Sequence, residues 1–210
     1  MRFCLSLFTS LLLINTFSGC KRDSQKTEPD ILIENAFASS VGWTYEVREG
    51  SEYVERPSSE VISNGALNES LYQGEGCARS RLYRSVETEF TSLEWAASDT
   101  LSLRLIGLSC DITAMGGASL ELAFGDHQLD LYIPYLPEQT EVRIDVVNDQ
   151  VFQFLIDGEE STSSIEPEVI NLSSPAYKMQ FNFDACGADL YAGIEVEVSD
   201  LQISRIKAQE

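Results

Sequence analysis

Two pairs of acidic residues have the spacing that puts both carboxylates on one face of a β-strand. Glu141 and Asp145 are four positions apart, and Glu195 and Glu197 are two apart. Glycoside hydrolysis needs two carboxylates that flank one bond. Arg143 lies between Glu141 and Asp145 and is expected to pair with them, while the second pair follows an ordinary half-exposed alternation. Both pairs are therefore predicted to be solvated strand faces, and no catalytic residue is assigned.

The single histidine, His127, is the candidate for an imidazole base. It lies in the sequence Gly125-Asp126-His127-Gln128, between two segments of alternating apolar residues, which is typical of a hairpin turn. We expect a solvated turn residue, and the sequence favours a protein that is not an enzyme. A single histidine also excludes zinc sites rich in histidine.

A cluster of basic residues interrupts an otherwise acidic chain, because Arg79, Arg81 and Arg84 stand within six positions. On a strand, Arg79, Arg81 and Tyr83 share a face. Arginine binds carboxylate and sulfate groups bidentately and tyrosine stacks on rings, so this face is a candidate site for carboxylated or sulfated sugars. The alternative is that the arginines pair with neighbouring acidic side chains.

A second candidate binding surface involves Tyr132. If the hairpin pairs residue 124 with residue 129, Tyr132 lies opposite Glu121 and on an outward face with Arg143. An aromatic ring among charged side chains suits a ligand site, and ordinary surface residues are the alternative.

The composition indicates one acidic globular domain. The chain has 210 residues, and 14 Lys and Arg against 34 Asp and Glu give a net charge of −20. Hydrophobic residues make up 43%, which fits a folded domain and not a disordered chain. The negative charge argues against nucleic acid or an anionic membrane surface as a partner.

The first twenty residues have the layout of an export signal. A basic start is followed by an apolar run over 3–14, which is too short for a bilayer span of about 20 residues. The sequence Ser18-Gly19-Cys20 then resembles a bacterial lipobox. The resemblance implies cleavage before Cys20 and lipidation of its sulfur; an ordinary cleaved signal with an incidental cysteine is the alternative.

This resemblance implies a signal peptide over 1–19, a lipidated polar tether over 20–30 and a folded domain over 31–210. The tether contains Pro29 and cannot bury a core. Because Lys21 and not Asp follows the cysteine, the resemblance further implies export to the outer membrane. We expect a lipoprotein of the bacterial cell envelope that contacts the membrane through its lipid, with its leaflet orientation left open.

Alternation of apolar and polar residues with period two dominates the rest of the chain and predicts strands with one face toward a core. The alternating segments are 101–106, 120–124, 129–133, 142–147, 152–156, 179–183 and 194–198. Many short strands without intervening helices predict an antiparallel β-sandwich. A parity shift from Val198 to Leu201 predicts a β-bulge at Ser199-Asp200.

Three segments carry a resemblance to a known superfamily: GASLELAFGDHQLDLYI, TEVRIDVVNDQVFQFLIDGEE and the closing strand GIEVEVSDLQISRI. They are similar to the concanavalin A-like lectin/glucanase sandwich of the LamG-like type, over about residues 80–206. The segment NAFASSVGWTYEV also resembles the first strand of galactose-binding-like jelly rolls, and this fold is the alternative.

The superfamily resemblance implies a concave sheet face that holds a glycan, and it raises calcium as a cofactor. The weak candidates for calcium ligands are Asp184, Asp189 and Asp200; surplus acid in a very acidic chain is the alternative, and no other cofactor is expected. The E-x-D-x-E strand of the glucanases in this superfamily is not found in the sequence.

The export that the lipobox resemblance implies would place the chain in an oxidising compartment, where a disulfide is stable. Cys110 and Cys186 each follow a strand and precede a crossover that contains glycine. In the concanavalin-like topology these crossovers lie at the same end of the sandwich. We therefore expect a Cys110–Cys186 bond and leave Cys77 unassigned.

These observations lead to a non-catalytic, envelope-anchored lipoprotein whose lectin-like sandwich binds a glycan or a partner protein. One alternative is a structural or assembly lipoprotein without a small ligand. The other is a divergent carbohydrate-active enzyme, which the missing catalytic carboxylates and imidazole disfavour.

Overall fold

The computed structural model describes residues 28–73, 76–96, 98–112, 115–125, 127–147, 150–161, 176–187 and 192–208. The predicted signal peptide, the lipidated Cys20 and most of the predicted tether lie outside the described residues. Within the described ranges, no helix is long and apolar enough to cross a membrane.

The described secondary structure is almost entirely β-strand. The strands are β1 (Asp30–Ile33), β2 (Thr44–Glu49), β3 (Glu52–Arg56), β4 (Ile62–Ser63), β5 (Ala66–Gln73), β6 (Gly76–Ser85), β7 (Thr100–Ile112), β8 (Met115–Phe124), β9 (His127–Ile133), β10 (Leu136–Val147), β11 (Gln150–Ile156), β12 (Glu159–Glu160), β13 (Ala176–Gly187), β14 (Ala192–Val198) and β15 (Asp200–Ile206). A short helix, α1 (Glu87–Thr91), follows β6, and a 3-10 turn (Ser58–Glu60) precedes β4.

The strands form two sheets. The six-stranded sheet has the order β3-β2-β6-β13-β8-β9. The nine-stranded sheet has the order β12-β11-β10-β7-β14-β5-β4, with β15 also paired to β7 and β1 paired to β15. Every strand pair recorded in the two sheets is antiparallel. The predicted antiparallel β-sandwich is confirmed.

The core lies between the two sheets, because the central strands turn alternate apolar side chains toward the opposite sheet. Leu103 and Ile144 come from the nine-stranded sheet, Leu120 and Phe181 come from the six-stranded sheet, and each is at most 1% exposed. Burying one side chain of this size contributes about 1.5–3 kcal/mol relative to leaving it in water. The predicted period-two alternation is therefore what builds the core.

The predicted irregularity in the last strand is also present. β14 and β15 pair with different parts of β7, and Ser199 between them donates its N–H to the carbonyl of Ile106 at 3.0 Å. Gly107 has φ +59°, and a side chain there would overlap Ser199. The bulge thus shifts the parity of both β7 and the closing segment at the same point.

The predicted Cys110–Cys186 bond is wrong; the disulfide joins Cys77 to Cys186. Cys77 on β6 and Cys186 on β13 are direct cross-strand partners on the outer side of the six-stranded sheet. Cys110 faces the core from the other sheet and is fully buried, and burial raises the pKa of its thiol to about 12. Side-chain direction separates Cys110 from Cys186, because a strand residue reaches only one face of its sheet.

A buried polar cluster bridges the two sheets inside the core. Glu69 on β5 is 3% exposed and Ser80 on β6 is 2% exposed. The hydroxyl of Tyr45 donates to Oε1 of Glu69 at 3.2 Å. Burial raises the pKa of Glu69 to about 7, because the charged carboxylate loses its hydration there.

Arg205 holds the start of the folded domain to its last strand. Its side chain is 5% exposed, and its guanidinium forms an ion pair with Asp30 at the start of β1. The same guanidinium donates to the carbonyl of Glu94 and lies 3.8 Å from a carboxylate oxygen of Asp99. Asp30, at the start of β1, is therefore tied to the last strand β15.

Candidate functional site

The outer side of the six-stranded sheet carries a polar groove. It is a shallow cavity of about 300 Å³ across the middle of the sheet. Its lining consists of Tyr53, Arg79, Ser80, Ser119, Glu121, Asn182, Phe183 and Asp184. The groove is polar because β6, β8 and β13 bury one set of alternate side chains and present the other set to solvent.

Strand register brings together side chains that are far apart in the sequence. In one row, Arg81 on β6 lies opposite Asn182 on β13, which lies opposite Ser119 on β8 and then Tyr132 on β9. This row crosses four strands of the sheet at about 4.8 Å per step.

The neighbouring row runs parallel to it. Tyr83, Gln180, Glu121 and Asp130 are successive cross-strand partners on the same four strands. Ser119, Glu121 and Asn182 of these rows line the polar groove, and the other members of the rows lie on the same face beside it.

Five of the six predicted ligand residues lie on this one face of the sheet, namely Arg79, Arg81, Tyr83, Glu121 and Tyr132. From the sequence, these residues were predicted to belong to two separate candidate surfaces. The structure joins them, because β13 pairs with β6 on one edge and with β8 on the other.

Arg143 is the exception, and its predicted place beside Tyr132 is wrong. It lies on β10 in the nine-stranded sheet, on the other side of the core. Its guanidinium forms an ion pair with Asp145 at 2.8 Å, while Glu141 pairs with Arg104 at 2.7 Å. The alternation of β10 predicted an outward Arg143 but could not say which sheet the strand joins.

The expected pairing of Tyr132 with Glu121 is also corrected. The hairpin closes between Phe124 and His127, so Tyr132 lies opposite Ser119 and Glu121 lies opposite Asp130. The register differs from the expected one by two residues. A shift of two keeps each side chain on its face, so Glu121 and Tyr132 stay on the same surface.

The arginines on this face are engaged with carboxylates. Nε of Arg79 lies 2.6 Å from Oδ1 of Asp184. Arg81 forms an ion pair with Glu46, and its guanidinium carbon lies 4.1 Å from the centre of the Tyr53 ring. The predicted alternative, pairing with neighbouring acids, is what the structure contains at both positions.

Amide side chains converge on Glu121. Nε2 of Gln180 donates to one oxygen of Glu121 at 3.3 Å, and Nδ2 of Asn182 donates to the other. Burial raises the pKa of Glu121, and the nearby charge of Asp130 raises it further. Two acceptor atoms beside this network, Oε1 of Gln180 and Oδ1 of Asp130, are buried without a hydrogen-bond partner.

Tyrosines stand at the two sides of the polar groove. Tyr132 on edge strand β9 is 49% exposed, and its hydroxyl donates to the carbonyl of Gly116 at 3.0 Å. Its ring covers Gly117, where a Cβ atom would overlap it. Tyr53 on edge strand β3 is 39% exposed. Each tyrosine thus presents aromatic surface to solvent beside polar side chains.

The two described candidates for calcium ligands, Asp184 and Asp200, lie in different sheets. Asp184 is paired with Arg79 in the six-stranded sheet. Asp200 lies in the nine-stranded sheet, where its Oδ1 accepts the N–H groups of Ala36 and Leu201. Asp189 lies outside the described residues. Among the residues described, no group of three or more His, Cys, Asp or Glu side chains could hold a metal ion.

Among the remaining candidates for catalysis, the described carboxylates do not line the polar groove. Glu195 and Glu197 lie on β14 in the other sheet. The backbone of His127 begins β9, and its side chain lies outside the described part of the molecule.

The sequence analysis missed four polar residues of this face: Tyr53, Ser119 and Asn182, which line the groove, and Gln180, which lies beside Glu121. A signal for two of them was present, since Met179, Phe181 and Phe183 alternate with polar residues along β13. Nothing local distinguished these polar residues from an ordinary exposed face, because their importance comes from the strands on either side.

No protein-family model and no curated protein sequence matches this chain. Solved structures share its fold. The CBM2 module of the evolved Dit protein of Lactobacillus casei BL23 phage J-1 has a TM-score of 0.51 at 11% identity, over 88% of this chain and 99% of that module.

Two further similar structures have lower scores. The carbohydrate recognition domain of Emp46p in its metal-free form has a TM-score of 0.44 at 10% identity, over 77% of this chain and 87% of that domain. Family 7 alginate lyase A1-II′ has a TM-score of 0.47 at 11% identity, over 80% and 94%. These neighbours are jelly-roll β-sandwiches, and at such identities the likeness concerns the fold alone.

Proposed function

We propose that this chain is a non-catalytic glycan-binding protein of the bacterial cell envelope, anchored by a lipid on Cys20. The observation that carries glycan binding is the polar groove, where amides and carboxylates lie between two exposed tyrosines. Sugars bind proteins through hydroxyl hydrogen bonds and through stacking of the ring on aromatic side chains. The fold is shared with a CBM2 module, a class of carbohydrate-binding module, which supports this reading.

The dimensions of the face suit an extended ligand. The six strands from β3 to β9 are separated by five spacings, or about 24 Å in total. This is several times the width of one sugar ring. The ligand is therefore an oligosaccharide or polysaccharide segment lying across the strands, with Tyr53 and Tyr132 toward its two ends.

The position of Asp30, where β1 begins, supports access of the polar groove to such a ligand. Asp30 is held by Arg205 beside the loop that follows α1, and α1 follows the C-terminal end of β6. Arg79 lies six residues before that end, about 20 Å away along the strand. A lipid-anchored chain would carry the Arg79 end of the polar groove away from the membrane.

A glycan array tests the binding proposal. The full chain is purified in a polyoxyethylene detergent, because detergents with sugar headgroups would compete for the site. We expect binding to at least one glycan and its loss when Tyr53 and Tyr132 are both replaced by Ala. The matched control replaces Tyr72, on β5 of the other sheet, and Tyr135, in the connection between β9 and β10, which are 62% and 57% exposed. Silence across the array would contradict glycan binding and favour a structural or assembly lipoprotein.

The anchor is tested separately. Three features of the sequence support the lipid anchor: the basic start, the apolar run over 3–14 and the Ser18-Gly19-Cys20 sequence. Mass spectrometry of the N-terminal peptide from the native host is expected to show acyl chains on Cys20. Replacing Cys20 with Ala should move the protein from the membrane fraction to the soluble fraction; an unmodified N-terminus at another residue would contradict the anchor.

One observation favours a second candidate, cleavage of the bound glycan. Glu121 lies opposite Asp130, and burial together with that neighbouring charge raises the pKa of Glu121, which is the direction that a general acid requires. Both oxygens of Glu121 already accept amide hydrogens, which supports a binding role. Release of new sugar ends from a bound polysaccharide, abolished in Glu121→Gln, would overturn the non-catalytic assignment.

A further inference from the structure

The positive groups of the polar groove already have partners. Arg79 is paired with Asp184, and Arg81 is paired with Glu46. The ammonium group of Lys178 lies 4.8 Å from the centre of the Tyr83 ring. A carboxylate or sulfate on a ligand would have to compete with Asp184 for Arg79 or with Glu46 for Arg81.

The carboxylates of Glu121 and Asp130 have fewer positively charged partners than the arginines have negatively charged ones. Glu121 and Asp130 are direct cross-strand partners, and in the described structure neither forms an ion pair with an arginine or lysine. The raised pKa of Glu121 reflects this situation, since burial and the charge of Asp130 both disfavour its ionised form. A ligand anion placed in the groove would meet two like charges.

Beside Glu121, the hydrogen-bonding capacity that remains is acceptor capacity. A carboxylate only accepts, so the amide nitrogen of Gln180 faces Glu121 and its oxygen Oε1 points elsewhere. The same amide nitrogen also donates to Oδ1 of Asn182 at 2.6 Å. With the amide hydrogens in use, Oε1 of Gln180 and Oδ1 of Asp130 are left without a donor.

These free acceptors are close to each other in the sheet. Gln180 and Asp130 lie on the two sides of Glu121 in a single cross-strand row. Gln180 is 8% exposed, and an acceptor left unsatisfied at that depth destabilises the protein until a donor reaches it. The row is therefore suited to a ligand with several O–H donors in sequence, which is what the adjacent hydroxyls of a sugar provide.

We infer that the polar groove selects neutral, hydroxyl-rich glycans and excludes glycans that carry carboxylate or sulfate groups, with Gln180, Glu121 and Asp130 as the residues that determine this selectivity. This inference rests on the proposed glycan-binding function and names the ligand class. It replaces the anionic-sugar interpretation of Arg79 and Arg81, because their ion pairs are internal to the protein.

Affinity electrophoresis of the full chain tests the ligand class. The probes are neutral polymers (β-glucan, galactomannan, xylan and dextran) and anionic polymers (alginate, polygalacturonate and dextran sulfate). We expect retardation by at least one neutral polymer, unchanged at high salt, and none by the anionic polymers. Salt-sensitive retardation by an anionic polymer would overturn the ligand class but keep glycan binding. No retardation by any polymer would contradict the proposed function as well.

Two charge variants separate the roles of the residues. Glu121→Gln is expected to weaken binding of the neutral polymer about tenfold, the loss that goes with one hydrogen bond to a charged group. Glu46→Gln releases Arg81 from its ion pair and should create salt-sensitive binding to alginate. Glu197→Gln, on the other sheet, is the matched control and should change neither. Unchanged neutral binding in Glu121→Gln would overturn the assigned role of that carboxylate.

Discussion

The hydroxyl end of the Tyr132 ring lies over Gly117 on the neighbouring strand, and its hydroxyl donates to the carbonyl of Gly116. Gly117 leaves room for this contact, because a Cβ atom there would overlap the ring, and Tyr132 remains 49% exposed. The same arrangement occurs in the other sheet, where the ring of Tyr72 covers Gly193. Gly193 and Tyr72 therefore serve as a matched control for Gly117 and Tyr132.

Replacing Gly117 with Ala is expected to weaken glycan binding while the fold persists. The added Cβ atom would overlap the Tyr132 ring and force it away from the sheet, which removes a stacking surface worth about 0.5–1.5 kcal/mol. Gly193→Ala moves Tyr72 in the same way on the other sheet and should leave binding unchanged. Titration calorimetry with the best neutral glycan measures both; equal losses in the two variants would argue against a role for Tyr132.

The disulfide is expected to stabilise the fold by joining two segments that are 109 residues apart in sequence. Replacing Cys77 and Cys186 together with Ser should lower the free energy of unfolding by about 2–4 kcal/mol. Urea unfolding with and without a dithiol reductant measures it. The wild-type protein should lose stability when reduced, and the double variant should not respond. A double variant that still responds to the reductant would mean that Cys110 takes part in a bond.

Because Glu69 is buried with a raised pKa, we expect the free energy of unfolding of the protein to fall as the pH rises. The pKa of Glu69 in the folded protein is about 7, above its ordinary value of 4.5. Between these values the folded state binds more protons than the unfolded state, so the stability that this group provides at low pH is lost by about pH 7. Glu69→Gln should therefore exceed the wild-type protein in stability by about 3 kcal/mol at about pH 8.

The same comparison at about pH 4 should show little difference, since Glu69 is then protonated in both states. Denaturant unfolding at several pH values provides the measurement. Glu195→Gln is the control, because Glu195 lies on the exposed side of the same sheet. A stability difference for Glu69→Gln that does not vary with pH would show that Glu69 does not titrate as proposed.

Arg205 is expected to be the most sensitive position at the start of the domain. Arg205→Met would leave the buried Asp99 carboxylate without its cation, and breaking a buried pair in this way costs about 3–5 kcal/mol. Lys207→Met is the control, since Lys207 lies 3.4 Å from the Asp30 carboxylate but is 52% exposed. Thermal unfolding and protease sensitivity near residue 30 follow the effect; equal stability in both variants would contradict the role of Arg205.

The sequence was informative wherever the property is local. Alternation along a strand is a local property, and it correctly placed Arg79, Arg81 and Tyr83 on one outward face. The parity shift near residue 199 likewise located the bulge between β14 and β15. These features depend on the residues themselves and on backbone geometry, which sets each side chain on one side of its strand.

The partners across the sheet could not be obtained in the same way. Alternation predicted that Arg143 points outward, but pairing of β10 with β7 and β11 puts it on the sheet opposite Tyr132. Alternation is also consistent with more than one hairpin register. The observed register differs by two residues from the one that would pair Tyr132 with Glu121. In both cases the answer depends on which strands pack together, and this is set by the burial of the whole core.

The sequence by itself determined the acidic composition, the β-sandwich and the side of its strand that each site residue occupies, because these follow from residue type and from a period of two. The tertiary structure alone decided that β13 lies between β6 and β8, and with it the Cys77–Cys186 bond and the polar groove. Strand order is a long-range choice. It is made by the packing of both sheets around one core, and no short segment of the chain contains it.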